Sequence, residues 1–320
     1  MNREFLLRAY EAGQRDFAGV DFQGANLQEV TLIGVNFTGA NFTGADLSRA
    51  FLTRSNLSEA FLNWANLRYT KLSDGCLEDA DLTKSDLSGA FLVKSDLLRA
   101  KLSGADLTHA NLRNAILQRA NLCGANLSGS NLRNADLTRA NLNWANLAEA
   151  RLSGANLAGA FLTDVNLKGA YLNGLDLRGI DLTGVNLSQA KLSGANLEGA
   201  NLTSTNLTEA KLRGVKLMRA DLSGADLSAA QLDRANLDWS NLSQANFTAA
   251  DLQEAKLLGV KIEGTVFASA LLPELTRQYL SMVASGGQLF GAGQMHPLSD
   301  GRFAPPHPYP QAVTHSLEKT

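Results

Sequence analysis

Between Asp16 and Ser269 a large apolar residue recurs at every fifth position. These centres fall at 17, 22, 27 and so on to 267, making fifty-one consecutive units with no insertion. The centre is Leu in forty-four units, Phe in six (Phe17, Phe22, Phe37, Phe42, Phe247, Phe267) and Ile once, at Ile262. Positions in a unit are counted from the centre, from −2 to +2. Position −2 is Ala in thirty-two units, and Asn or Asp dominates position −1. A period of five fits neither 3.6 nor 7, so an α-helix would smear the Leu residues around its whole surface. Nor does the pattern alternate strictly, as a long strand would. A turn in every unit resolves the conflict. Each unit then offers a short extended piece with positions −2 and 0 on one side, and −1, +1 and +2 stay outside or at the corner. Gly at +2 (Gly39, Gly44, Gly104, Gly194, Gly199) and Ser or Thr at +1 suit such turns. Four units close a square coil, and coils stack about 4.8 Å apart through backbone hydrogen bonds. Fifty-one units predict roughly 12 to 13 coils, a rod about 60 Å long.

The tandem string A-(N/D)-L-x-x, as in Ala45-Asp46-Leu47-Ser48-Arg49, resembles the pentapeptide-repeat proteins. The resemblance covers the whole array and implies an all-β fold, a right-handed quadrilateral β-helix. The opening LLRAYEAGQRDFAGVDFQGANL is also similar to that of cyanobacterial members that regulate heterocyst formation.

Outside the array the pattern changes. Residues 1–14 read as a capping helix, with Asn2 as its cap, Phe5, Leu6, Ala9 and Tyr10 as an apolar face, and Gly13 as its stop. Residues 15–270 are the β-helix. Residues 271–286 read as a second helix, with Pro273 in its first turn and Gly286 and Gly287 ending it. An open β-helix exposes strand edges at its ends, so both helices are expected to cover them. The second helix could instead pair with another copy, as the resemblance to family members that act on topoisomerases implies. Residues 287–320 hold five of the six prolines and are expected to be a disordered tail. Within the array, Val165, Leu175, Ile180 and Val185 are large for position −2 and predict a locally widened or kinked coil. Gly75 and Cys76 mark a second irregularity.

Composition then narrows the function. Net charge is −2, which is no signature for nucleic acid or a membrane surface. Two cysteines suggest no disulfide framework, and no apolar run approaches membrane length. The charged opening is too short in its apolar part for a secretory signal, so a cytoplasmic location is expected. His109 is the lone histidine of the array, at an outward +2 position. No nucleophile motif, metal spacing or phosphate loop is present, so neither an enzyme nor a cofactor or metal site is expected.

The four sides of the coil carry different outward residues. On the side containing Leu27, position −1 is Asn or Asp from Asn26 to Asn246, with Asn the commoner. One reading is structural, with short polar side chains bonding the neighbouring backbone. The other is an acidic ladder that imitates DNA phosphates. The side containing Leu52 breaks the pattern, with Phe51, Lys71, Phe91, Arg151 and Tyr171 at −1. Arg54, Lys94, Arg113 and Arg133 lie beside them, and the side as a whole has ten basic residues against four acidic ones. These charges could simply be solvated. Alternatively this is a partner-binding face, since aromatics with Arg are the usual interface anchors. Phe61, Trp64, Trp144 and Phe161 sit on the opposite side as a second choice. The expected function is a protein–protein interaction scaffold or regulator, in cyanobacterial signalling or differentiation if the resemblance carries that far. The alternative is a DNA-mimicking modulator of DNA gyrase, as in the quinolone-resistance branch of the family. A nucleic-acid binder using the basic side lacks regular stacking aromatics.

Overall fold

The computed structural model describes residues 2–284, and the chain divides into two compact units, Met1–Leu271 and Leu272–Thr320. The first unit is a β-helix solenoid. With two exceptions, each residue at −1 forms a parallel bridge with the residue four units further on, from Asp16↔Asn36 to Asp251↔Leu271. Four units therefore make one coil.

The unit around Leu127 shows the bonding. Asn126 donates its N–H to Ala105 O of the preceding coil at 2.9 Å, and Leu127 donates to Asn146 O of the next at 2.7 Å. Ser130 donates back to Leu127 O at 3.0 Å, which closes the corner as a four-residue turn. Every +2 residue from Gly19 to Ser269 has φ near +60°, while no +1 residue does. That is the signature of a type II turn. Thirty of these left-handed positions carry a residue other than glycine, Trp64, Trp144 and Trp239 among them. A non-glycine residue there costs roughly 1–2 kcal/mol. The corner is nevertheless held, because the +2 N–H reaches the next coil, as from Trp144 to Thr163 O at 2.8 Å.

Positions −2 and 0 form the core, and nearly all are fully buried. Each buried Leu contributes on the order of 2 kcal/mol gross, largely offset by ordering of the backbone. Ala at −2 keeps the square narrow. Where Ser or Thr replaces it, the hydroxyl bonds a carbonyl, as from Thr70 to Leu47 O at 2.8 Å and from Ser240 to Leu237 O at 2.6 Å, with the buried Ser130 hydroxyl the exception. Phenylalanine centres stack at both ends of the array, Phe22 on Phe42 at 5.0 Å and Phe247 on Phe267 at 5.3 Å.

The first coil is tied to α1 (Arg3–Glu11), whose N-terminus is capped by Asn2 Oδ1 accepting from Phe5 N–H at 2.9 Å. The Tyr10 hydroxyl accepts from Ile33 N–H at 3.2 Å, and the Arg15 guanidinium lies 3.8 Å from the Tyr10 ring centre. Of the apolar face expected for this helix only Leu6 is buried, and Phe5 is exposed. In the second unit, α2 spans Glu274–Ala284, with Arg277 N–H bonding Pro273 O at 3.0 Å. The expected glycine stop at 286 and 287 and the tail 287–320 lie outside the described residues.

The irregularity expected at Gly75 is absent. Cys76 bridges both Asn56 and Asp96, and its N–H reaches Ser55 O at 3.0 Å. Gly75 lacks room instead, since a Cβ there would meet Leu72 O at 2.9 Å. The coil at 175–190 does open. Among the described residues, the bridges Asn156↔Asp176 and Phe161↔Asp181 are missing, while Asn166↔Asn186 and Arg151↔Tyr171 persist. Leu175 and Ile180, the sole Leu and Ile at −2 in the array, directly precede the two sides that part. Their extra volume cannot fit where Ala fits, and Ile180 is left half-buried. A cleft of about 520 Å³ results, lined by 156–160 above and 176–181 below.

Candidate functional site: the aromatic and basic side

The parallel ladder places Phe51, Lys71, Phe91, Asn111, Asn131, Arg151 and Tyr171 in one column, one residue per coil. Position −1 points away from the core, so an apolar residue there has nothing to bury it. Phe51 is 44% and Phe91 37% exposed. Lys71 lies between them, with Nζ 3.0 Å from the centre of the Phe91 ring. Partial burial desolvates its ammonium and pulls its pKa below the usual lysine value. Further along, Lys191 Nζ sits 3.8 Å from the Tyr171 ring centre and donates to Gly169 O at 3.1 Å.

The corner residues beside this column divide into two groups. Arg213 pairs with Asp233 at 3.1 Å and Arg234 with Glu254 at 3.0 Å. Arg54, Lys94, Arg113, Arg133 and Arg151 are exposed and have no carboxylate partner among the described residues. The half of the column from Phe51 to Arg151 therefore has excess positive charge, while both arginines of the half beyond it are held in ion pairs.

On the side containing Leu27, the Asn and Asp side chains serve the backbone. Asn126 Oδ1 accepts from Ser128 N–H at 3.2 Å and from Asn146 Nδ2 at 3.1 Å, and Asn146 and Asn166 repeat the step at 3.0 Å. Aspartates take the same place. Burial pushes Asp226 up, but hydrogen bonds from Ser228, Thr208 and Asn246 outweigh it and hold the carboxyl below its ordinary value. The structural reading of this ladder accounts for its geometry.

The second-choice aromatics are also outward. Phe61, Trp64, Trp144 and Phe161 are exposed, Lys84 Nζ lies 4.6 Å from the Trp64 ring centre, and Trp144 Nε1 donates to Asp164 at 3.1 Å. His109 is exposed at its corner. One grouping was not visible in the sequence because its members lie on two coils. Cys76, Glu78 and Asp96 bring ligating atoms within 4.8 Å of one another. Each is already engaged, Cys76 with Ser58 Oγ at 3.0 Å, Glu78 with Arg99 at 2.6 Å and Asp96 with Leu98 N–H at 3.0 Å.

The comparisons with known proteins bear on this architecture. The family model for pentapeptide repeats matches in eight copies, over residues 16–54, 46–83, 80–119, 115–154, 145–184, 180–217 and 230–267. No curated protein sequence matches the chain significantly. Among solved structures, the chain is 32% identical to HetL of the cyanobacterium Nostoc sp. strain PCC 7120, a pentapeptide repeat protein involved in heterocyst differentiation regulation. The match covers 86% of this chain and 98% of HetL, with a TM-score of 0.34. A pentapeptide repeat protein of the Arabidopsis thaliana thylakoid lumen is 29% identical, covering 40% of this chain and 86% of that one, with a TM-score of 0.30. QnrB1, a plasmid-mediated fluoroquinolone resistance protein, is 18% identical over 84% of this chain and 95% of its own, with a TM-score of 0.19. With its unbroken five-residue period, its four-unit coil and the family model matching along the array, the chain belongs to the pentapeptide repeat family.

Proposed function

We propose that this protein is a non-enzymatic interaction rod, a right-handed quadrilateral β-helix that acts in the cytoplasm and presents the Phe51–Lys71–Phe91 column to a regulatory protein partner. One observation carries the reading. Two exposed phenylalanines flank a lysine on consecutive coils, with five uncompensated cations on the same side. Exposed aromatics supply apolar contact area at low entropic cost, and unpaired Arg and Lys favour an acidic partner surface. The identity to a regulator of heterocyst differentiation supports a regulatory role.

The test is affinity capture from lysate of the source organism with the wild type and a Phe51→Ala, Lys71→Ala, Phe91→Ala triple variant. All three side chains point outward, so the fold survives the change. Loss of one captured protein with the variant supports the reading and names the partner. Capture of the same set by both overturns it. DNA gyrase within that unchanged set would favour the topoisomerase-modulating alternative.

A further inference from the structure

A cleft lies between the coils at 156–160 and 176–181, away from the column that holds Phe51, Lys71 and Phe91. Elsewhere, between the end coils, each centre N–H reaches the next coil and each −1 N–H except that of Asn186 reaches the preceding one. Among the described residues, the N–H groups of Leu157 and Leu162 on the upper edge have no backbone acceptor, and neither do those of Asp176 and Asp181 on the lower. Their lost partners are Asp176 O, Asp181 O, Ala155 O and Ala160 O, so each of the two parted sides presents an unpaired N–H and an unpaired C=O on both of its edges. Isolated polar atoms can be satisfied by water. A row of alternating donors and acceptors along two consecutive sides matches one ligand above others, the backbone of an extended chain.

Further features fit that occupant. The cleft, at about 520 Å³, is within the range of peptide and ligand pockets. Phe161 stands on one of the parted sides, next in sequence to the lining residue Ala160, and is 58% exposed, available as an aromatic anchor. The Arg178 guanidinium at the mouth is already held bidentate by Asp176, at 2.8 and 2.6 Å. Asp181 takes both its bonds from Thr183 on Oδ1, which leaves its second oxygen free for a cation.

We infer that this cleft accepts an extended peptide segment of a partner protein, which adds as a β-strand to the parted coil edges and sets a basic side chain near Asp181. Leu175 and Ile180 act as the wedge that keeps the edges apart.

A phage-displayed library of random linear octapeptides, panned against the full chain and counter-selected against a Leu175→Ala, Ile180→Ala double variant, tests this. Restoring Ala at −2 lets the ladder close. The expected result is a set of peptides with a basic residue that bind the wild type. Their affinity should fall about tenfold or more in the double variant and in Phe161→Ala. Binding should also protect the amides of Leu157, Leu162, Asp176 and Asp181 from hydrogen exchange. The Phe51, Lys71, Phe91 triple variant should bind these peptides as the wild type does, which separates failure here from failure of the proposed partner face. Absence of enriched peptides, equal binding to the double variant, or protection confined to other amides would overturn the inference.

Discussion

Lys71 Nζ lies 3.0 Å from the centre of the Phe91 ring, across the step between two coils. The two residues are twenty apart in sequence, and the parallel ladder makes them neighbours on the outer surface. The contact joins a cation to an aromatic ring that no core residue covers, so it is a local contact of a few tenths to about 1 kcal/mol. A Lys71→Met variant should therefore lose little stability. Thermal melting checks this, and a Tm within a few degrees of the wild type is expected.

Leu127 is fully buried at mid-array, with coils stacked on both sides. Placing a carboxylate there leaves a charge without partner or water. The Leu127→Asp variant should lose the cooperative melting transition or show a Tm lower by well over 10 °C. An unchanged Tm would contradict the packing described.

The corner turns predict opposite signs for two conservative changes. Ala229 sits at φ +56°, where glycine is at ease, and its methyl group is exposed. Ala229→Gly should leave stability unchanged or raise it by up to about 1 kcal/mol. Gly124 sits at φ +65° with open space where a Cβ would go. Gly124→Ala should cost about 1 kcal/mol through backbone strain alone. Paired denaturant titrations measure both.

Asp46, Asp136 and Asp226 are each pushed up by burial and pulled down more by hydrogen bonds, with the net pKa below the ordinary value. A carboxyl whose folded pKa is depressed stabilises the fold fully above its unfolded pKa of about 4 and loses that contribution as pH falls through the folded value. Tm should therefore decline on acidification below about pH 4. Asp226→Asn keeps the accepting oxygen that Asn uses in most units, so its Tm should fall less steeply over that range.

Amide exchange gives a direct reading of the opened coil. The N–H groups of Leu157 and Leu162 should exchange far faster than those of Leu137 and Leu142, which reach Asn156 O at 2.8 Å and Phe161 O at 2.9 Å in an intact ladder. Equal protection at the two pairs would show a closed stack.

Much of this molecule is determined by local pattern. The five-residue period sets Leu and Ala inward and Asn and Asp outward, and a repeat whose units contact their sequence neighbours one coil away leaves little for distant packing to decide. The outward column of Phe51, Lys71 and Phe91 could likewise be read from the period alone. Tertiary structure decided the rest. Position +2 adopts the left-handed region in Trp64 as well as in Gly124, because the bond to the next coil's carbonyl holds the turn against the strain of a side chain there. Gly75 looked like a break and is a fit, since two carbonyls crowd its missing Cβ. Leu175 and Ile180 announced a disturbance in the sequence. Which two sides would part followed from how their volume falls against Ala155 and Ala160 of the coil above, a relation between residues twenty apart that exists only once the coils are stacked.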